Sequence, residues 1–258
     1  MPTTIAWILL NLLISNVLLE LLPGNVGTFF LGMWSPALTA MLFLLAERQP
    51  FTQGLAMHVG QRRVYAIAAL VPVMVAGGTV GLGLVTGYLG FSEGWRFPVG
   101  GVLGTFLVWI IASLGEELGW RGYLHRRLRH HKHAPLLIGL VWAAWHYRQV
   151  FGAAGPRYAL FVFTPMVFLT SFVLSELVER GHSVWPCALY HGVWNFLRLK
   201  VLAGHPSRGA PGIFSSTAPQ LTEMEGVFGL LVLAIISASF IRSWYRAHPQ
   251  RLALAEPL

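Results

Sequence analysis

Apolar residues in this chain come in long uninterrupted blocks, not in the alternating or 3.6-periodic stripes of a soluble fold. Eight blocks run roughly over 5–23, 27–46, 64–90, 98–118, 134–151, 158–178, 184–203 and 224–243. A helix needs about 20 apolar residues to cross a bilayer, so the pattern predicts eight transmembrane helices. The first block has no basic leader and no small-residue cleavage site, and reads as a retained helix. The third is long and glycine-rich, and a tilt or break is expected near Gly77-Gly78. The fifth and seventh carry His146 and His191 in otherwise apolar surroundings.

Composition narrows the class further. Of 258 residues, 55% are hydrophobic and only 11% charged, against about 25% charged in soluble domains. Mean hydropathy is +0.61. A soluble enzyme, a disordered chain, a disulfide scaffold and a nucleic-acid module are excluded as main readings. What remains is an all-α polytopic membrane protein. It is expected as a single membrane domain over 1–258. The motif-bearing core lies at 98–200, and the Gly/Pro/Ser-rich segment 204–222 reads as a flexible loop. Cys187 is the single cysteine and forms no internal disulfide.

The net charge of +8 comes almost wholly from arginine, and the acidic residues are all glutamates. In a membrane protein this excess reads as positive-inside loops near anionic lipid, not as a nucleic-acid footprint. Arg48, Arg62, Arg63, Arg126, Arg127, Arg129, Lys132, Arg180, Arg242, Arg246 and Arg251 fall on one side of the expected topology. Arg96, Arg148, Arg157, Arg198, Lys200 and Arg208 fall on the other. The larger group predicts both termini in the cytoplasm, and the strong preference for Arg over Lys points to a bacterial source and hence to the inner (cell) membrane.

Ionisable groups inside a span are costly, about 2.5–3.5 kcal/mol each on insertion scales, so they mark where chemistry is expected. Three clusters stand out. Glu116, Glu117 and Arg121 close the fourth block. Glu117 and Arg121 are four apart and share a helix face, so they can pair, while Glu116 points about 100° away. That leaves one carboxylate with no local partner and suited to act as a general base. Trp142 and His146 lie in the fifth block, and His191 and Asn195 sit one turn apart in the seventh. Taken singly, these are an interfacial ion pair, a buried histidine and helix–helix glue. Taken together, their depths from the inner face come to about 12 Å for Glu116, 18 Å for His146, 10 Å for His191 and 16 Å for Asn195. All four can line one polar cavity within the bundle. The other polar residues read more plainly. His130, His131 and His133 belong to a basic loop, Glu176 and Glu179 pair locally with Arg180, and Glu20 has no assignable partner.

At these residues the chain resembles the CPBP family, the type II CAAX prenyl endopeptidases and bacteriocin-processing, Abi-type relatives. The family's Glu-Glu-x-x-x-Arg motif is matched by Glu116, Glu117 and Arg121. Its aromatic-and-His motif, usually with Phe, is matched by Trp142 and His146. Its His-x-x-x-Asn motif is matched by His191 and Asn195. The resemblance implies an eight-helix fold and an intramembrane glutamic protease. Glu116 and His146 would activate a water, and His191 with Asn195 would form the oxyanion site. Glu117 and Arg121 would orient the site, and Trp142 would pack beside His146.

The expected function is thus an endopeptidase cutting near the C-terminus of a membrane-associated protein or peptide. The expected partners are that substrate and the lipid bilayer, with no nucleic acid, and the expected cofactor is none beyond a catalytic water. Two other readings stay open on sequence alone. One is a non-proteolytic immunity or interaction protein that keeps the motifs. The other is a zinc-dependent hydrolase, since Glu and two His also make a zinc ligand set, although no His-Glu-x-x-His pair is present.

Overall fold

The computed structural model describes residues 2–21, 26–93, 101–202 and 212–253. Every one of the eight apolar blocks coincides with a helix. In chain order the helices are α1 (Pro2–Leu21), α2 (Val26–Ala46), the short α3 (Phe51–Gly54), α4 (Arg62–Val85), α5 (Val102–Glu117), the single turn α6 (His125–Leu128), α7 (Ala134–Tyr158), α8 (Thr164–Gly181), α9 (Trp185–Phe196), the short α10 (Pro219–Thr222) and α11 (Val227–Ala253). α4 runs unbroken through Gly77-Gly78. The chain is an all-α polytopic membrane protein. Among the described residues, five stretches, Phe29–Ala46, Arg62–Val85, Val102–Leu128, Ala134–Gly181 and Pro219–Ala247, are long and apolar enough to cross a bilayer. The helical hydrogen bonding satisfies the backbone internally, as lipid demands.

Ala134–Gly181 is a single apolar run of 48 residues, about 72 Å if straight at 1.5 Å per residue. It is not straight. Gly155 takes φ 82°, ψ 167°, a conformation open to glycine, and Pro156 follows. The run folds back there, and α7 packs along α8. This bend separates the fifth expected span from the sixth.

Among the described residues, three π-helical segments interrupt the helices: Leu118–Leu124 after α5, Ala159–Phe163 before α8 and Leu197–Leu202 after α9. π-turns widen a helix and recur at functional sites, and the first of these begins directly after Glu117.

α5 is packed between α2 and α9. Glycines allow the close approach. A Cβ on Gly115 would lie 2.8 Å from the Trp34 Cα, and one on Gly119 would lie 2.6 Å from the Pro36 carbonyl carbon. A Cβ on Gly192 of α9 would lie 2.8 Å from the Ile110 Cα. Small residues at helix contacts are the usual way lipid-embedded helices come together.

The loops expected on the inner side meet at one end of the bundle. Arg127 pairs with Glu47, Arg126 donates to the Gln53 carbonyl, and Arg180 Nη2 donates to Ser243 Oγ at 2.8 Å. Trp244 Nε1 donates to the Lys132 carbonyl at 2.9 Å. Arg180 pairs with Glu176 at 2.8 Å, as local spacing predicts, but Glu179 faces His125 at 2.8 Å instead. The opposite end holds Glu225, which takes Arg198 at 2.8 Å. It also holds a two-stranded antiparallel ribbon of β1 (Leu89–Phe91) and β2 (Phe214–Ser216). Glu20 does have a partner there, Arg148. Within the segment 204–222, strand β2 and helix α10 are ordered elements, while residues 203–211, together with Arg96 and Arg208, lie outside the described residues.

Candidate active site

Glu116 and Glu117 sit at the last turn of α5 and are both buried, Glu116 being 2% exposed. Adjacent positions on a helix diverge by about 100°, and the two carboxylates accordingly reach different neighbours.

Glu117 turns toward α9 and its own π-segment. Its Oε1 meets His191 Nδ1 at 2.8 Å, and its Oε2 lies 3.5 Å from Arg121 Nη1. The ion pair with Arg121 is the one the i,i+4 spacing predicts. The contact with His191, 74 residues away, is not legible from spacing. Arg121 is buried, and among the described residues its nitrogens make no hydrogen bond. Glu117 and the Trp142 ring face, 4.4 Å from the guanidinium carbon, are what compensate its charge.

Glu116 turns toward α7. Its Oε2 accepts a hydrogen bond from Trp142 Nε1 at 2.8 Å. The resemblance implies only that Trp142 packs beside His146. It does so, with ring centroids 5.9 Å apart, and it also stands edge-on to His191 at 5.5 Å. This one indole therefore touches Glu116, Arg121, His146 and His191. Glu116 lies within electrostatic reach of both histidines.

His146 is tied to its own helix. Its Nδ1 lies 2.9 Å from the Trp142 carbonyl. A carbonyl only accepts, so Nδ1 carries the proton, and Nε2 of the neutral ring presents a lone pair. Trp145 and Phe163 wall the ring at 4.6 and 5.4 Å.

Asn195 is one turn beyond His191, and both are buried. Its Nδ2 donates to Ser113 Oγ at 3.3 Å. Ser113 is a residue that sequence reasoning misses. The available signal is its position three residues before Glu116, on the same side of α5, in an otherwise apolar run. An amide nitrogen has two hydrogens, so the contact with Ser113 leaves the second for another acceptor.

Six of the seven expected residues thus form one contact-connected cluster between α5, α7 and α9, buried except for the half-buried His146, and Asn195 lies one turn from His191 on α9. The links between them are Glu116–Trp142, Trp142–His146, Trp142–His191, His191–Glu117 and Glu117–Arg121. Asn195 contacts α5 through Ser113. The cluster holds two carboxylates, one lone-pair imidazole and one imidazole on a carboxylate, with a carboxamide one turn away. Chemically it offers both proton acceptors and N–H donors. Among the described residues, no three His, Cys, Asp or Glu side chains gather as ligands for a metal ion.

Residues 98–197, which contain every motif residue, match the family of type II CAAX prenyl endopeptidases, Rce1-like. A CAAX prenyl protease 2 of Methanococcus maripaludis is 35% identical over 100 residues, covering 38% of this chain and 36% of that protein. The chain therefore spans about a third of the length of the curated relative it matches. The motif residues, their order and their convergence agree with this match, and through residues 98–197 the chain is similar to the type II CAAX prenyl endopeptidases.

Proposed function

We propose that the protein is an intramembrane endopeptidase that hydrolyses a peptide bond near the C-terminus of a membrane-associated protein or peptide. The observation that carries this is the burial of Glu116 beside His146 and His191, in a segment similar to CAAX prenyl proteases. A buried carboxylate among imidazoles in an apolar bundle has a solvation cost that a structural role alone does not require.

The chemistry follows from donors and acceptors. Glu116 Oε1 and His146 Nε2 are acceptors, and a water held between them is polarised for attack on the substrate carbonyl. The proton taken from the water is passed to the leaving amine. Charge then develops on the carbonyl oxygen, and two donors are available to receive it. Asn195 contributes the Nδ2 hydrogen not used by Ser113. His191 contributes Nε2–H as an imidazolium, whose other hydrogen, on Nδ1, faces the Glu117 carboxylate. Arg121 holds Glu117 in place, so Glu117 orients His191 and does not attack.

The basic loops gathered at one end support an orientation with that end in the cytoplasm of a bacterial cell. The eight apolar blocks then cross the inner membrane, and the whole chain forms a single membrane domain around the 98–200 core. Reporter fusions after Arg129 should read cytoplasm and fusions at Thr217 should read the outside; the reverse pattern refutes this orientation.

The activity test uses purified protein in lipid vesicles with an internally quenched farnesylated peptide ending in a CAAX sequence. Cleavage by the wild type and none by Glu116→Gln is expected. Cleavage by Glu116→Gln at the wild-type rate overturns the assignment of the base.

A further inference from the structure

We infer that Trp142 is a positioning residue for the proposed general base, its indole N–H fixing the rotamer of Glu116. This rests on the proteolytic reading but concerns a group that reading does not use.

Three observations carry it. First, the Nε1–Oε2 distance is 2.8 Å between two buried side chains on different helices, 26 residues apart. A hydrogen bond to an ionised acceptor in an apolar surrounding is among the stronger ones, and it is directional. Second, it occupies one carboxylate oxygen only. Oε2 is held, which leaves Oε1 for the water shared with His146 Nε2. Third, the indole is itself immobilised. Its face carries Arg121 at 4.4 Å, and its edges abut His146 and His191. A guanidinium over the ring also withdraws electron density from it and makes the N–H a better donor. A glutamate has three rotatable side-chain bonds, and a base must be held to within a few tenths of an ångström to act on a bound water. Trp142 supplies that constraint from a neighbouring helix. A phenylalanine there has a ring but no donor.

The N–H can be removed without removing the ring. Benzothienylalanine replaces the indole N–H by sulfur and keeps the bicyclic shape, the contact with Arg121 and the packing on both histidines. Trp142→Phe removes the donor and part of the ring. With the farnesylated quenched peptide, benzothienylalanine at 142 is expected to lower kcat about 10- to 100-fold. KM should stay within about twofold and the melting temperature should fall by only a few degrees, the cost of one lost hydrogen bond. A structural role alone would leave the kcat of the folded protein intact. A second readout needs no substrate. In isotope-labelled protein the indole N–H resonance lost in Trp142→Phe identifies Trp142, and it is expected downfield and shifted by Glu116→Ala. Wild-type kcat with benzothienylalanine, while Glu116→Gln is inactive, overturns the positioning role and leaves the proteolytic reading standing. An indole resonance indifferent to Glu116→Ala also overturns it. Full cleavage by Glu116→Gln overturns both.

Discussion

His191 Nδ1 and Glu117 Oε1 meet at 2.8 Å across the α5–α9 contact, and the same carboxylate holds the buried Arg121. Glu117 thus serves two cations or near-cations at once, one on its own helical run and one on a neighbour. Glu117→Gln keeps an oxygen that can accept from His191 but leaves Arg121 buried without a counter-charge. Breaking one partner of a buried pair typically costs about 3–5 kcal/mol. The variant should therefore melt markedly lower and lose activity. Adding Arg121→Met should restore much of the melting temperature and none of the activity. If Glu117→Gln alone melts like the wild type, the ion pair is not what holds this part of the bundle.

His146 has a backbone carbonyl, not a carboxylate, as its hydrogen-bond partner. His146→Ala is expected to abolish cleavage while leaving the melting temperature within a few degrees. A variant that unfolds would show that the ring is a packing element between Trp145 and Phe163.

Asn195→Ala removes a proposed oxyanion donor and should lower kcat about 10²–10³-fold, the usual range for such groups. Ser113→Ala removes only the hydroxyl that orients Asn195. Its effect should be smaller, about tenfold or less, and absent when combined with Asn195→Ala. Independent, additive effects in this double-mutant comparison would show that Ser113 does not act through Asn195.

Gly119 lets the π-segment after α5 lie directly on the α2 backbone. A Cβ there would stand 2.6 Å from the Pro36 carbonyl carbon and 2.8 Å from its oxygen, and backbone cannot yield as a side chain can. Gly119→Ala should destabilise by about 1–3 kcal/mol, seen as a lower melting temperature. Gly104→Ala meets nothing within 4 Å and should be neutral. Equal melting temperatures for the two variants would refute the close approach of α2 and α5.

The proposed reaction uses a carboxylate and an imidazole to activate water, with no metal step. Activity should survive exhaustive treatment with ortho-phenanthroline, checked by elemental analysis of the treated protein. Loss of activity that zinc restores would establish the metalloenzyme alternative.

The sequence by itself determined what depends on composition and on near neighbours along one helix. A chain with so few charges and such long apolar blocks has to satisfy its backbone within helices in lipid, so class and helix positions were legible. The 3.6-residue repeat puts Glu117 over Arg121 and His191 in line with Asn195, so those pairs were legible too. The tertiary structure alone decided which helix faces meet. Spacing leaves Glu116 without a partner, and the fold gives it Trp142. Spacing gives Glu117 only Arg121, and the fold adds His191. Glu20 reaches Arg148, and Glu179 reaches His125 in place of Arg180. Each of these contacts joins residues 26 to 128 positions apart. They exist because glycines at 115, 119 and 192 bring backbones together at particular rotations and because Gly155 turns one long helix back on itself. A helix's period fixes which residues share a face but not which neighbour that face will find, since that depends on close packing summed over the whole bundle.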